Sequence, residues 1–257
     1  MDILLSNDDG FLASGINQLR TTLLQDASNR VTLIAPHQDC SGASNSLTLK
    51  TPLRLTDHGE RIYSVNGTPT DSVHLGLTSL LTSKPDIVIS GINAGANLGD
   101  DVLYSGTVAA AMEGRFLDCP AIAVSSTSFQ PKYFDSATRV VKQLLGQINH
   151  YPNNDNMILN VNVPDLPWEQ IKGIKVTRLG RRHCPEPIYK QKDPHGKDMY
   201  WVGPPGAELD ADEGTDFYAI KHGYVSVTPI HIDLTRYQAL ESTTDWINTI
   251  VHEKNIA

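Results

Sequence analysis

Short apolar runs bounded by polar residues and glycine punctuate the first two thirds of the chain. Ile3–Leu5, Val31–Ala35, Ile87–Ile89, Ala121–Val124 and Met157–Val161 are apolar or nearly so throughout. Such runs fit parallel strands buried on both faces. Between them lie segments with apolar residues at helical spacing. One spans 16–24, with Ile16, Leu19, Leu23 and Leu24; others span 72–81, an Ala-rich 107–116, and 134–148. Strands alternating with helices of about ten to fifteen residues predict βαβ crossovers. The expected fold is α/β, a mainly parallel sheet with helices on both faces.

Beyond Pro164 the pattern changes. Ile174–Thr177, Met199–Val202 and Tyr224–Val227 read as strands, and 181–214 is dense in proline, glycine and charge. That segment is too long for a silent loop and predicts an extended arm or hairpin reaching a neighbouring subunit. Leu240–Val251 has a helical pattern. The reading divides the chain into a core at 1–165 and a smaller β-rich region at 166–257, with no internal repeat or low-complexity tract.

Composition narrows the function. The chain has 257 residues, 40% apolar and 19% charged, with a net charge of −8 and a pI near 5.5. An acidic surface argues against binding a nucleic-acid duplex. No apolar run approaches the about 18 residues that span a bilayer, and the N-terminal run, between Asp2 and Asp8-Asp9, is not a signal peptide. The expectation is a cytoplasmic protein without a membrane segment. Cys40, Cys119 and Cys184 have no CxxC spacing, so neither a disulfide framework nor a zinc knuckle is expected. Cys119 reads as packing; a redox role for Cys40 would need a special environment.

The candidate chemistry sits in loops that follow strands or open helices. Ser6-Asn7-Asp8-Asp9-Gly10 closes the first run. In open α/β sheets ligands bind outside the carboxyl ends of strands. Two adjacent carboxylates repel unless a cation or shared proton compensates, and hard oxygens suit Mg²⁺, Mn²⁺ or Ca²⁺. The plainer alternative is a helix cap and a solvated loop residue. Ser41-Gly42-Ala43-Ser44-Asn45-Ser46 can line a polar pocket or be a surface loop. In Ser90–Asp101, Asn93 and Asn97 can give neutral oxygens to a cation or make Asx-turns. Ser105-Gly106-Thr107 before an Ala-rich helix suits an anion, or is simply an N-cap. No GxxxxGK[ST] or GxGxxG accompanies these loops. Carboxylates, neutral oxygens and an anion cradle on one sheet edge fit metal-assisted transfer of a phosphoryl group to water.

Those blocks, with Gly67-Thr68-Pro69-Thr70-Asp71, Asn160-Val161-Asn162-Val163-Pro164 and Gly214-Thr215-Asp216-Phe217, resemble the signature blocks of the SurE family over nearly the whole chain. The resemblance implies a Rossmann-like three-layer core and a C-terminal region that exchanges elements in a homodimer or homotetramer. It implies one divalent cation, Mn²⁺ or Mg²⁺, held by Asp8, Asp9, Ser41 and Asn93, with Asn97, Ser105, Gly106 and Thr107 on the phosphate. The implied activity is hydrolysis of nucleoside 5′-monophosphates, also 3′-monophosphates and short polyphosphate, with Asp8 and Asp9 catalytic around an activated water. Leu12 and Ser14 replace a frequent His and Pro, and His37-Gln38-Asp39-Cys40 lacks a frequent basic residue, which bears on substrate preference.

Three alternatives are kept in view. An aspartyl-phosphate route usually spaces its two carboxylates by one residue, unlike Asp8-Asp9. A nucleotide sensor with a vestigial metal site would not need every ligand position intact. A hydrolase of non-phosphate esters would not need the anion cradle. His37, His74, His183, His195 and His231 are possible acids for the leaving group, but none lies in a motif.

Overall fold

Residues 1–152 and 157–254 are described by a computed structural model. The strands in chain order are β1 (Asp2–Ser6), β2 (Arg30–Pro36), β3 (Leu55–Asp57), β4 (Ile62–Val65), β5 (Ile87–Ala94), β6 (Ala121–Ser126), β7 (Ile158–Val163), β8 (Ile174–Val176), β9 (Arg181–Arg182), β10 (Tyr189–Lys192), β11 (Asp198–Trp201), β12 (Glu208–Asp210) and β13 (Val225–Pro229). Nine of them form one sheet in the order β3-β4-β2-β1-β5-β6-β7-β13-β8. The run from β4 to β7 is parallel throughout. Antiparallel β3 edges one side; β13, antiparallel to β7, and β8, parallel to β13, extend the other.

The helices are α1 (Ser14–Leu23), α2 (Pro69–Leu75), α3 (Gly106–Phe116), α4 (Phe134–Leu145), α5 (Asp216–Lys221) and α6 (Leu240–Lys254). Side chains alternate across a strand, so each apolar run feeds two cores. Ile3, Leu5 and Ile89 pack with Ile16 and Leu19 of α1 and Val140 of α4. Leu4 and Val88 pack on the opposite face with Val73 of α2 and Val108 and Ala111 of α3. This is the three-layer α/β sandwich that the strand–helix alternation predicts.

The chain runs outward from β1 to β2 and β4, then returns to β5 on the other side of β1. Strand order therefore reverses between β1 and β5, which opens a crevice at their carboxyl ends. Three local differences from the sequence reading have clear causes. The helix expected at 72–81 begins at Pro69, because Thr68 and Asp71 form a capping box, and it continues as a π-helical stretch over Gly76–Leu80. The strand expected to end at Ile89 runs to Ala94, because Asn93 and Ala94 still pair with Ser125 and Ser126 after an irregularity. The unexpected β3 and β4 are short, and β3 is wholly exposed, so neither carries an apolar signature.

The proline- and glycine-rich segment is a long hairpin. β9 pairs with β12 at its base and β10 with β11 further out. Arg182 anchors that base: its side chain pairs with Asp101 at 2.7 Å, and its N–H donates to Asp100 at 2.8 Å. Among the described residues no helix is long and apolar enough to cross a membrane.

Candidate active site

A cavity of about 430 Å³ opens at the carboxyl ends of β1, β2 and β5. Asp8, Ser41, Asn93, Asn97 and Ser105, five of the residues singled out from sequence, line it together. Asp9 adjoins it, accepting from the Ala94 N–H at 3.2 Å. Gly106 and Thr107 back onto Asp8. A Cβ at Gly106 would lie 2.8 Å from the Asp8 Cβ and 3.0 Å from its Oδ2, so only glycine lets helix α3 approach this closely. The Thr107 hydroxyl donates to Asp8 Oδ1.

The two carboxylates are held against their preference. Asp8 is 4% exposed, and burial raises its carboxyl to about 6; the Thr107 hydroxyl opposes this, while the charges of Asp9 and Asp39 add to it. Burial also raises Asp9, against the Ala94 N–H and with the Asp39 charge. The leading charges acting on this pair are those of neighbouring carboxylates. Two acids crowded this way favour a bound cation.

Neutral oxygens complete the set. The Asn93 amide donates its N–H to the Gly95 carbonyl at 2.8 Å, which leaves its oxygen available. The Ser41 hydroxyl donates to Asp39 Oδ1 at 2.6 Å, so its lone pairs remain. Ser6 Oγ, Asn7 Oδ1 and Ser90 Oγ are buried without a protein partner near the same loop. Among the described residues no three His, Cys, Asp or Glu side chains form a ligand cluster. A cation here would therefore take hydroxyl and amide oxygens beside the carboxylates, a donor set that suits Mg²⁺ or Mn²⁺.

Helix α3 supplies the anion end. Ser105 caps it, its Oγ accepting from the Val108 N–H at 3.1 Å, which leaves the hydroxyl proton free to donate. The N–H groups of Gly106 and Thr107 occupy the first two helical positions and have no protein acceptor among the described residues. They and the helix dipole favour an anion. Asn97 differs in emphasis: its side-chain N–H donates to Ser125 at 2.8 Å, and its backbone is fastened by Asn160 and Asn162. It lines the cavity as a tethered residue rather than a freely donating one.

The remaining signature blocks support the site. Asp71 accepts from the Thr48 N–H at 2.9 Å and its hydroxyl at 2.6 Å, and Thr68 donates to the Ser46 carbonyl at 2.6 Å. The Ser41 loop is thereby stitched to α2. Buried Asp216, its carboxyl raised by burial, accepts from the N–H groups of Gly99 and Gly180 at 2.7 and 2.8 Å. The candidate histidines do not line the cavity. Burial and nearby carboxylates raise the Cys40 thiol, which opposes thiolate chemistry. Sequence reasoning missed Asp39, Asp101 and Phe129 as site residues. Asp39-x-Ser41 is an Asx-turn spacing that could have flagged the first; the other two are brought in by tertiary structure alone.

Comparison with known proteins gives a uniform answer. The family model described as Survival protein SurE matches residues 3–186. A 5′-nucleotidase SurE of Halorhodospira halophila is 57% identical over 97% of this chain and 99% of its own. One from Alkalilimnicola ehrlichii is 56% identical over 96% of each. The crystal structure of the SurE protein from Aquifex aeolicus, 44% identical, superposes with a TM-score of 0.82 over 94% of this chain and 98% of that one. Matched by the family model over residues 3–186 and by relatives over nearly its whole length, the chain belongs to the SurE family.

Proposed function

We propose that this chain hydrolyses nucleoside 5′-monophosphates to nucleoside and phosphate, using a divalent cation held by Asp8, Asp9, Ser41 and Asn93. The enzyme class follows from relatives named 5′-nucleotidase at 55–57% identity over nearly the full chain. The observation that carries the finer reading is the meeting of two adjacent, burial-raised carboxylates and an open helix N-terminus at one cavity by the strand-order reversal.

When bound, the cation polarises the phosphoryl oxygens and lowers the pKa of water. The chain's own residues do the rest. Asp8 and Asp9 hold the positive charge in place, and one of them accepts the proton from the attacking water. The N–H groups of Gly106 and Thr107 and the Ser105 hydroxyl receive the phosphate, with Asn97 holding the facing loop. Thr107 fixes Asp8 through its hydroxyl, and Asp39 turns the Ser41 hydroxyl so that its lone pairs are free.

The same site would accept 3′-monophosphates and short polyphosphate, whose terminal groups present the same oxygens. Mn²⁺ and Mg²⁺ both suit its donors. A homodimer or homotetramer is supported by exposed apolar residues on the hairpin and the terminal helix, Tyr200, Trp201, Val202 and Trp246, and by Leu234 on the segment that leads into that helix. Three free cysteines are consistent with a reducing, cytoplasmic setting. Replacing Asp9 by Asn tests the reading. With Mn²⁺ present, phosphate release from a mononucleotide should fall at least a hundredfold while the fold is retained; unchanged activity would defeat the catalytic role of the pair and favour a nucleotide sensor.

A further inference from the structure

Two aromatic rings on the cavity wall take no part in the hydrolytic machinery. Phe129 is 90% exposed and Tyr104 is 69% exposed, yet both line the cavity that holds Asp8, Ser41 and Ser105. A phenyl ring held in water on the wall of a polar cavity gains nothing from burial and has a face to offer a ligand.

Phe129 is not a stray loop side chain. Gly95, at φ +136°, lies under its edge: a Cβ there would sit 3.0 Å from Cε1 and 3.2 Å from Cδ1 of the ring. Glycine at 95 thus serves both the backbone turn and the placement of the ring. The segment that presents Phe129 is tied down on both sides. Gln130 donates its N–H to the Ser128 hydroxyl at 3.1 Å, and the Asp165 carboxylate accepts from the N–H groups of Lys132 and Tyr133, each at 2.9 Å. Tyr104 directly precedes Ser105, the cap at the anion end, and its carbonyl accepts from the Ser44 N–H at 3.2 Å.

A cavity with an anion site and adjoining exposed ring faces complements a phosphate joined to a flat aromatic base. Its volume of about 430 Å³ lies in the range of small-molecule sites. We propose that Phe129, with Tyr104, is the nucleobase platform of this enzyme and makes it favour purine over pyrimidine monophosphates. The inference rests on the nucleotidase reading. The phosphate would dock at Gly106 and Thr107 and the base against the rings, and the larger face of a purine would overlap more of them.

The test compares wild type, Phe129→Ala and Phe129→Trp on adenosine 5′-monophosphate, uridine 5′-monophosphate and ribose 5-phosphate. Base–aromatic stacking is worth about 1–3 kcal/mol, roughly 5- to 150-fold. Phe129→Ala should raise KM for the adenine nucleotide about tenfold, raise it less for the uridine nucleotide, and leave ribose 5-phosphate unchanged. Phe129→Trp should restore the purine preference. Equal weakening of all three substrates, or an unchanged KM for the adenine nucleotide, would overturn the platform. So would a change of oligomeric mass in Phe129→Ala, which would make the ring a subunit contact. If the wild type hydrolyses none of the three, the nucleotidase reading fails first; if it hydrolyses all three with equal KM, only the platform fails.

Discussion

Burial holds the Asp8 carboxyl near 6, above the 3.8 of a free side chain, and this displacement has a definite sign. Below about pH 4 both folded and unfolded chains carry the proton, so nothing is lost. As pH rises through the window from about 4 to 6, the unfolded chain releases its proton before the folded one. Stability of the metal-free protein falls across that window, by about 3 kcal/mol at most. Asp8→Asn removes the penalty. The variant should melt higher than wild type at pH 8 without metal, by several degrees, and match it at pH 4; scanning calorimetry reads both. It should also be inactive. A lower melting temperature at pH 8 would show that the carboxylate is stabilised by something other than a cation. Gly106→Ala is the complementary test. Its methyl would meet Asp8 at 2.8 Å, and activity should drop tenfold or more with little loss of helix content by circular dichroism.

At the scale of elements, the Ser41 loop depends on α2. Asp71 accepts from Thr48 twice and from the Thr68 N–H at 2.8 Å. Asp71→Ala leaves these donors without their acceptor and should cost about 2–4 kcal/mol in urea unfolding. It should also lower kcat/KM, because Ser41 loses its support. Unchanged kcat/KM with lowered stability would separate the loop from the site. The main elements were legible because β1, β2, β5, β6 and β7 are buried on both faces and so each carries an apolar run. β3 and β4 were not, since β3 is exposed and β4 only half buried. The carboxylate pair, the Ser41 loop and the α3 cap were readable because each is a local pattern at the end of an element. Phe129 was not, because its place on the wall depends on contact with Gly95 in the neighbouring loop, distant in sequence.

For the whole molecule, the charge distribution sets one requirement. In the proposed function a chain of net charge −8 would receive a phosphate beside two carboxylates whose leading charged neighbours are themselves carboxylates. Binding of substrate and binding of cation must therefore be coupled. Saturating Mn²⁺ should raise the melting temperature, since a ligand at a hundred times its dissociation constant adds about 2.7 kcal/mol. Asp9→Asn should blunt that shift. The most direct measurement is phosphate release from adenosine 5′-monophosphate by the purified protein, before and after EDTA and again with Mn²⁺ restored. Turnover should vanish in EDTA and return with Mn²⁺; release that continues undiminished in EDTA would rule out a metal-dependent site.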